Sequence, residues 1–319
     1  MKKYCFGADI GGTTVKLGLF DQDGIVLDKW EIPTRTENEG IAILPDMAAS
    51  IKEKIQEHGL HMEEIAGIGV DVPGPISEDG IVPHTANLGW GYKEVTRELT
   101  ELTGLPSKAG NDANVAALGE MWLGGGKGHT NVLMITLGTG VGGGIIIDGK
   151  IFSGFNSAGA EIGHTVIVKG GRPCMCGRRG CWEKYASARA LAEDTLAAME
   201  QHKDNIMWSY VHGDPARVNA KTAFDAMRAG DALGTQVVQN FVEYVACGLT
   251  NLINIFQPEI ICIGGGVSKE GDTLLAPVQA VVDQEDYARE GMRRTKIVTA
   301  KLRNDAGIIG AAGLATQHQ

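Results

Sequence analysis

Short apolar runs separated by glycine-rich turns open the chain and recur near its middle. The first three runs cover residues 4–10, 15–20 and 25–32, and the later three cover 131–137, 141–147 and 150–152. Runs of this length divided by Gly-Gly or Asp-Gly are typical of strands joined by tight hairpins, because Gly and Asp tolerate a positive φ. The repeated plan predicts two three-stranded meanders and a duplicated fold.

Amphipathic stretches between and after the meanders predict helices, and further apolar runs predict more strands. The predicted helices cover 41–58, 93–103 and 112–123, and helices begin again near 186 and 272. The predicted strands cover 65–70, 107–109 and 260–263. Strands that alternate with helices indicate an α/β architecture.

Length and charge narrow the class of protein. A chain of 319 residues favours two domains or one large α/β domain. The net charge of −10 argues against nucleic acid as a partner, since nucleic-acid binders carry basic patches. An anionic nucleotide would therefore have to be held by local backbone donors and a metal ion. The N-terminal apolar run is too short for a signal peptide or a membrane span, so we expect a cytoplasmic protein with no membrane partner.

Three glycine-rich turns, at residues 9–14, 138–144 and 264–266, carry groups suited to a nucleotide. In the first, a carboxylate ends a strand, glycines let backbone amides approach a ligand, and hydroxyls follow, which suits phosphates and Mg²⁺. The alternative there is a plain hairpin that the carboxylate caps. The second contains G-x-G-x-x-G, but a strand follows it where a dinucleotide-binding fold needs a helix, which disfavours that fold. The predicted nucleotide-binding residues are Asp9, Gly11, Gly12, Thr13, Thr14, Lys16, Gly138, Thr139, Gly140, Gly265 and Gly266.

Together the three turns resemble the ATPase fold shared by actin, the heat-shock chaperones and the sugar kinases. The segment 174–183 resembles the CxCGxxGCxE signature of the ROK family of repressors and kinases, and 160–164 matches the EIGH element of that family. The resemblance spans the chain from Asp9 to the 305–311 tail. It implies two actin-like ATPase (ribonuclease H-like) α/β domains with a cleft between them. We predict a small domain at 1–120 joined by a C-terminal helix at 305–317, and a large domain at 121–304 with a zinc-bound loop at 153–183.

The six cysteines divide into two groups. Cys5, Cys247 and Cys262 stand singly in apolar surroundings and are predicted to be buried thiols. The others provide three thiolates that, with one imidazole, suit tetrahedral Zn²⁺ in a closed, structural site. The predicted ligands are His164, Cys174, Cys176 and Cys181. Unmetallated surface cysteines are the alternative.

Asp112 is the predicted catalytic base. It stands where a short strand gives way to a helix, and on sequence alone a carboxylate there is most simply an N-cap. The family resemblance favours the base, because ROK kinases carry it at the aspartate of this motif. As base, Asp112 would orient a sugar hydroxyl and accept its proton.

The remaining predicted sugar contacts come from loops and from residues beside the zinc ligands. The resemblance supports the last three of the set, which is Gly74, Asn87, Asn111, Asp112, Glu161, His164 and Glu183. Trp90, next to this set, is better interpreted as a core or hinge aromatic than as a ligand contact.

These features favour an ATP-dependent kinase that converts glucose to glucose 6-phosphate, the entry to glycolysis. The alternatives within the family are kinases for N-acetylmannosamine, fructose or allose. A transcriptional repressor would need an N-terminal helix-turn-helix domain before the first phosphate turn, and Asp9 leaves no room for one. A non-catalytic sugar-binding protein would be expected to lack one of the catalytic elements. The resemblance also implies a homodimer or a higher homo-oligomer.

Overall fold

The structure, a computed structural model, describes residues 2–85, 87–288 and 291–316. Its strands are β1 (Tyr4–Ile10), β2 (Thr14–Asp21), β3 (Val26–Pro33), β4 (Ile65–Val72), β5 (Ile81–Val82), β6 (Lys93–Glu94), β7 (Ser107–Asn111), β8 (Val132–Leu137), β9 (Val141–Ile147), β10 (Lys150–Ile151), β11 (Ile260–Gly264) and β12 (Lys296–Thr299). Its helices are α1 (Glu37–Gly40), α2 (Ile43–Glu57), α3 (Val95–Thr103), α4 (Asp112–Leu123), α5 (Glu183–Ala186), α6 (Ala188–Gln201), α7 (Met207–Tyr210), α8 (Ala220–Arg228), α9 (Ala232–Phe256), α10 (Asp272–Glu285) and α11 (Ala306–Thr316). Among these described helices none is long and apolar enough to cross a membrane.

The chain divides into two compact units. Unit 1 comprises Met1–Thr130, Gly144–Ala160 and Lys301–Gln319, and unit 2 comprises Asn131–Gly143 and Glu161–Ala300. The predicted domains are independently folding parts, 1–120 with 305–317 and 121–304, and they stay a prediction. Residue 317 of the predicted C-terminal helix lies outside the described residues.

Unit 1 is built on a five-stranded sheet in the order β3-β2-β1-β4-β7. β1 is antiparallel to β2 and parallel to β4, and β4 is parallel to β7. Alternate residues of β1 serve the two faces: Phe6, Ala8 and Ile10 join the core with α2 and α3, whereas Cys5 packs with Ile308 of α11. Both faces of the sheet are therefore covered, which explains why its central strands are almost continuously apolar.

Helix α11 lies on the sheet at backbone distance. A Cβ on Gly69 of β4 would stand 1.6 Å from the carbonyl oxygen of Ala311, and a Cβ on Gly310 would stand 1.8 Å from that of Val115 in α4. Only glycine fits at these two positions, since real Cβ atoms do not approach so closely. The close contact fixes α4 and α11 against each other and against β4.

The second sheet repeats the order of the first. Its order is β10-β9-β8-β11-β12. When the five strands of each sheet are numbered in chain order, both sheets have the order 3-2-1-4-5. β11 is parallel to both β8 and β12. The predicted pair of meanders is therefore present, and each meander is extended by parallel strands on one side.

Several predicted bounds shift for local reasons. The predicted helix 93–103 begins at Val95 because Lys93 and Glu94 pair with β5, and the predicted strand 107–109 runs on to Asn111 beside β4. Of the two Asp-Gly turns, only the second has a positive φ at both residues, 51° at Asp148 and 77° at Gly149. At the first turn, the Asp21 carboxylate accepts hydrogen bonds from the amides of residues 23 and 25, which holds a different turn.

Candidate active site

The first glycine-rich turn, in unit 1, is held by hydrogen bonds from Thr34, the residue that follows β3. The Gly11 amide donates to the Thr14 carbonyl at 3.0 Å, and the Thr34 amide and hydroxyl donate to the carbonyls of Thr13 and Gly11 at 2.9 and 2.7 Å. These bonds occupy the carbonyls of the turn, while Gly12 and Thr13 remain exposed at its tip. A Cβ on Gly12 would stand 3.8 Å from the carbonyl oxygen of Asn87, so the turn adjoins one of the predicted sugar-binding residues.

Behind this turn, acidic side chains stand side by side on neighbouring strands. Asp9 of β1 is opposite Lys16 of β2 and opposite Asp71 of β4 in the strand register, and its carboxylate lies 3.7 Å from the Lys16 ammonium. Burial raises the pKa of Asp9; the ammonium of Lys16 lowers it and the carboxylate of Asp112 raises it further. Burial, reinforced by Asp9 and Asp112, raises the pKa of Asp71 well above its usual range. The predicted residues Asp9, Lys16 and Asp112 are thus electrostatic neighbours.

Asp71 is a member of this group that the sequence analysis missed. Its side chain is only 4% exposed, and Oδ1 has no hydrogen-bond partner among the described residues. The available signal was a single carboxylate inside an otherwise apolar strand, in Ile-Gly-Val-Asp-Val. A buried carboxylate without a partner is costly, so it calls for an explanation by ligand binding.

Asp112 is the first residue of α4, and its carboxylate is exposed. The N-cap is Asn111, whose side-chain oxygen accepts a hydrogen bond from the Ala113 amide at 3.1 Å. Asp112 Oδ1 accepts from the same amide at 2.8 Å. Because Asn111 already fills the cap position, Asp112 is not required as the cap and its remaining oxygen is open to a ligand.

Asn111 also contacts the loop at residues 72–76, which contains Gly74, another predicted sugar-binding residue. Its amide nitrogen donates to the carbonyl of Gly74 at 3.0 Å, so the 72–76 loop is fastened to the end of β7. A cavity of about 820 Å³ in unit 1 is lined by Asn111, Asn114 and the hydroxyls of Ser77 and Ser153. Asn114 Oδ1 has no hydrogen-bond partner among the described side chains and backbone groups. Polar groups therefore converge on a space large enough for a small ligand, which Asn111 lines but Asp112 does not.

In unit 2, the second and third glycine-rich turns adjoin each other. The Gly138 amide donates to the Gly140 carbonyl at 3.0 Å, and the Ala188 amide donates to the Gly138 carbonyl at 2.8 Å. Gly265, with a φ of 84°, lies so close to Leu137 that a Cβ would stand 2.5 Å from its carbonyl oxygen. Thr139, Gly265 and Gly266 are exposed. The structure thus brings the predicted nucleotide-binding residues of this unit onto one edge of the sheet.

Glu183 connects the second turn with the cysteine-rich loop. One carboxylate oxygen accepts from the Val141 amide at 3.3 Å, and the other lies 3.6 Å from the sulfur of Cys174. Glu161 is exposed just before the short helical turn that carries His164. The three predicted sugar residues of unit 2 therefore surround the same loop.

His164 and three cysteines form a cluster that fits a metal ion. Their ligand atoms all lie within 4.8 Å of one another, with 3.5 Å between His164 Nδ1 and Cys174 Sγ and 3.6 Å between Cys176 Sγ and Cys181 Sγ. Tetrahedral Zn²⁺ with bonds of about 2.1 Å to nitrogen and 2.3 Å to sulfur places neighbouring ligand atoms about 3.5–3.8 Å apart. The donor set and its spacing therefore match zinc, and Nε2 of His164 is left for another partner.

Two tryptophans near the site have structural contacts. Trp90 is 1% exposed and donates from Nε1 to the Gly40 carbonyl at 3.0 Å, as expected for a core aromatic. Trp182 follows the last cysteine of the cluster and donates from Nε1 to the Tyr244 carbonyl of α9 at 2.7 Å. The cysteine-rich loop is therefore anchored to the longest helix of unit 2. Of the single cysteines, Cys5 and Cys262 are buried as predicted, whereas Cys247 is only half-buried.

Residues 5–318 match the model of the ROK family. The chain belongs to the ROK family. The glucokinase of Halalkalibacterium halodurans is 41% identical, over 99% of this chain and 96% of the relative. The glucokinase of Thermotoga maritima is 37% identical, over 97% of this chain and 96% of the relative. The crystal structure of a ROK family glucokinase from Streptomyces griseus in complex with glucose and AMPPNP is 32% identical, with a TM-score of 0.73 over 98% of this chain and 99% of that one.

Membership of the ROK family confirms the predicted fold class, the actin-like (ribonuclease H-like) ATPase fold. The repeated strand order of the two sheets is the structural counterpart of that assignment.

Proposed function

We propose that this ROK protein is an ATP-dependent hexose kinase that phosphorylates glucose at its 6-hydroxyl. The observation that carries the proposal is Asp112, exposed in the first turn of α4 behind the N-cap Asn111 and within electrostatic reach of Asp9, which pairs with Lys16. That arrangement provides a carboxylate for the acceptor hydroxyl beside charged groups for the phosphates. The names of the relatives support glucose as the acceptor.

Asp112 acts on the hydroxyl. Its free oxygen accepts a hydrogen bond from the 6-hydroxyl, orients the oxygen toward the γ-phosphorus, and takes the proton as the new P–O bond forms and the bond to ADP breaks. A sugar hydroxyl is a weak nucleophile, so most of the acceleration comes from positioning and charge neutralisation.

The phosphates are held by the glycine-rich turns. The exposed tips at Gly12, Thr13 and Thr139 offer backbone and hydroxyl donors, and Lys16 supplies a positive charge near Asp9. Asp9 is placed to hold Mg²⁺, which when bound neutralises phosphate charge. Gly265 and Gly266 leave room for the nucleoside, because neither carries a side chain.

Each unit offers groups suited to sugar hydroxyls. In unit 1, Asn111 at the end of β7 is bonded to Gly74, and Asn87 adjoins Gly12 of the first glycine-rich turn. In unit 2, Glu161, His164 and Glu183 surround the cysteine-rich loop. Carboxylate, amide and imidazole groups suit pairs of neighbouring hydroxyls.

The cysteine cluster holds structural zinc. With three thiolates and one imidazole, all four tetrahedral positions are filled by protein, which is typical of structural sites. The ion fixes the loop between Glu161 and Glu183. None of the six cysteines forms a disulfide, which is consistent with a reducing cytoplasm.

The experiment that tests the function measures ADP release with Mg-ATP across glucose, N-acetylmannosamine, N-acetylglucosamine, mannose, fructose and allose. We expect a strong preference for glucose that is absent in Asp112→Asn. A preference for another sugar would keep the chemistry and change the substrate. No release with any sugar would favour the non-catalytic alternative. Light scattering of the same samples tests the expected homodimer or higher homo-oligomer.

A further inference from the structure

We propose that Asp71 is a second carboxylate of the divalent-cation site, acting together with Asp9. The inference rests on the proposed kinase function, which requires such a cation. The sequence motifs assign only Asp9 to this role, so Asp71 would be an additional metal-binding residue of this chain.

The strand register places the two carboxylates side by side. Asp9 and Asp71 are partners across the parallel pair β1–β4, and both project from the face of the sheet that α11 covers. A Cβ on Gly307, in the first turn of α11, would stand 2.5 Å from Asp71 Oδ2 and 3.0 Å from Asp9 Oδ2. Two carboxylate oxygens therefore approach one point, where the absence of a side chain leaves room.

Among the described residues, carboxylates outnumber basic side chains around this point. Asp9, Asp71 and Asp112 influence one another, and Lys16 is the basic side chain in contact with Asp9 at 3.7 Å. Asp71 Oδ1 is buried and has no hydrogen-bond partner among the described residues. A buried carboxylate that has one oxygen beside a second carboxylate and the other oxygen without a donor is the arrangement expected of a cation ligand.

The chemistry of the donors selects the cation. Mg²⁺ prefers oxygen ligands and is commonly bound through one or two carboxylates together with substrate phosphates. Two adjacent aspartates behind a phosphate-binding turn match that description. The rival explanation is that Asp71 is a neutral carboxyl group that only fills the core.

The test uses Mn²⁺ as the probe for the Mg²⁺ site, with the intact protein and without nucleotide. Free Mn²⁺ is followed by electron paramagnetic resonance in wild type, Asp71→Asn and Asp71→Ser. The matched control is Asp286→Asn, since Asp286 is also buried, at 1% exposure, but lies in unit 2. We expect both Asp71 variants to lose Mn²⁺ affinity by about tenfold or more and Asp286→Asn to bind as wild type. Circular-dichroism melting confirms that each variant is folded.

Kinase assays separate this inference from the proposed function. If the wild type is active, Asp71→Asn should need at least about tenfold more Mg²⁺ for half its maximal rate, with an unchanged KM for glucose. Wild-type Mn²⁺ affinity in both Asp71 variants would overturn the inference and leave the kinase function standing. If the Asp71 variants bind Mn²⁺ more weakly than the wild type, but the wild type phosphorylates no sugar, the cation site is supported and the proposed kinase function is not.

Discussion

Gly307 shows how much the site depends on one missing methyl group. It lies in the first turn of α11, where a Cβ would stand 2.5 Å from Asp71 Oδ2 and 3.0 Å from Asp9 Oδ2. A helix generally loses stability at glycine, so a glycine at this position points to a packing requirement. The positions of two carboxylates are thus set by a residue that has no side chain of its own.

Replacing that glycine should disturb the carboxylates more than the fold. We expect Gly307→Ala to lower kcat by about tenfold or more, because displaced catalytic groups are poorly aligned, and to cost about 1–3 kcal/mol from overpacking. The control is Gly313→Ala on the same helix, where the nearest atom to a new Cβ is 3.3 Å away. We expect it to stay within about 1 kcal/mol of wild type. Urea unfolding and steady-state kinetics measure both, and a normal kcat in Gly307→Ala would contradict the argument.

Asp112→Asn separates catalysis from capping. Because Asn111 is the N-cap, we expect the free energy of unfolding to change by less than about 0.5 kcal/mol. Loss of the base should lower kcat by about 10²–10⁴-fold with little change in sugar affinity. Calorimetric titration with glucose and single-turnover kinetics provide the two readings. A large loss of stability with nearly normal turnover would instead identify Asp112 as a structural residue.

At the scale of elements, α4 is fixed at both of its ends. Asn111 caps its start, and Glu120 near its other end is fully buried. The Glu120 carboxylate accepts hydrogen bonds from the amides of Gly125, Lys301 and Leu302 at 2.7, 3.0 and 2.7 Å. The helix that begins with Asp112, the proposed catalytic base, is therefore tied to the segment that leads into α11.

Glu120→Gln should loosen this connection. Gln keeps one acceptor oxygen and turns an amide group toward backbone donors, so we expect a loss of about 2–4 kcal/mol in the free energy of unfolding. Glu101→Gln is the control, since its exposed ion pair with Arg97 should contribute less than about 1 kcal/mol. Thermal and urea unfolding compare the two. Equal stabilities would show that the buried hydrogen bonds contribute little.

The cysteine-rich loop should depend on its metal. We expect about one zinc ion per chain by elemental analysis, as a closed site of three thiolates and one imidazole requires. Cys176→Ala should lose zinc and kinase activity together, whereas Cys247→Ala, at a half-buried cysteine outside the cluster, should keep both. Full activity in a protein freed of zinc by a chelator would show that the loop holds its shape unaided.

Elements were easier to predict from the sequence than the contacts that complete the site. Hairpins and central strands are predictable because glycine turns and apolar runs are local signals, and the four predicted zinc ligands are close in sequence. Asp71 and Glu120 were missed because a carboxylate in a strand or a helix usually faces solvent. Their roles depend on β1–β4 register and on amides about 180 residues away, and no local pattern contains either.

At the scale of the whole molecule, unit 1 is assembled from three separate stretches of chain. Its last stretch contains α11, which lies against β1 and β4 and packs on α4. Without α11 the face of the sheet that carries Gly69 and Asp71 would be open to water. The first 130 residues therefore lack an essential part of their own core.

A fragment of residues 1–130 should accordingly fail to melt cooperatively. Restoring 301–316 through a flexible Gly-Ser linker should recover part of the transition, because the two faces of the sheet are then both covered. The control carries the same linker with 301–316 in scrambled order. Calorimetry distinguishes the three, and a cooperative transition in the 1–130 fragment alone would contradict the expectation.

The position of α11 in the chain also delays the completion of unit 1 during synthesis. Ribosomes add about 5–20 residues per second, so the 170 or so residues between positions 130 and 301 take on the order of ten seconds or more to emerge. During that interval the nascent first sheet exposes apolar and strand surface that only the final helix will cover. Chaperones that hold the nascent chain would therefore matter from the emergence of the first sheet until α11 emerges, and earlier release would favour aggregation.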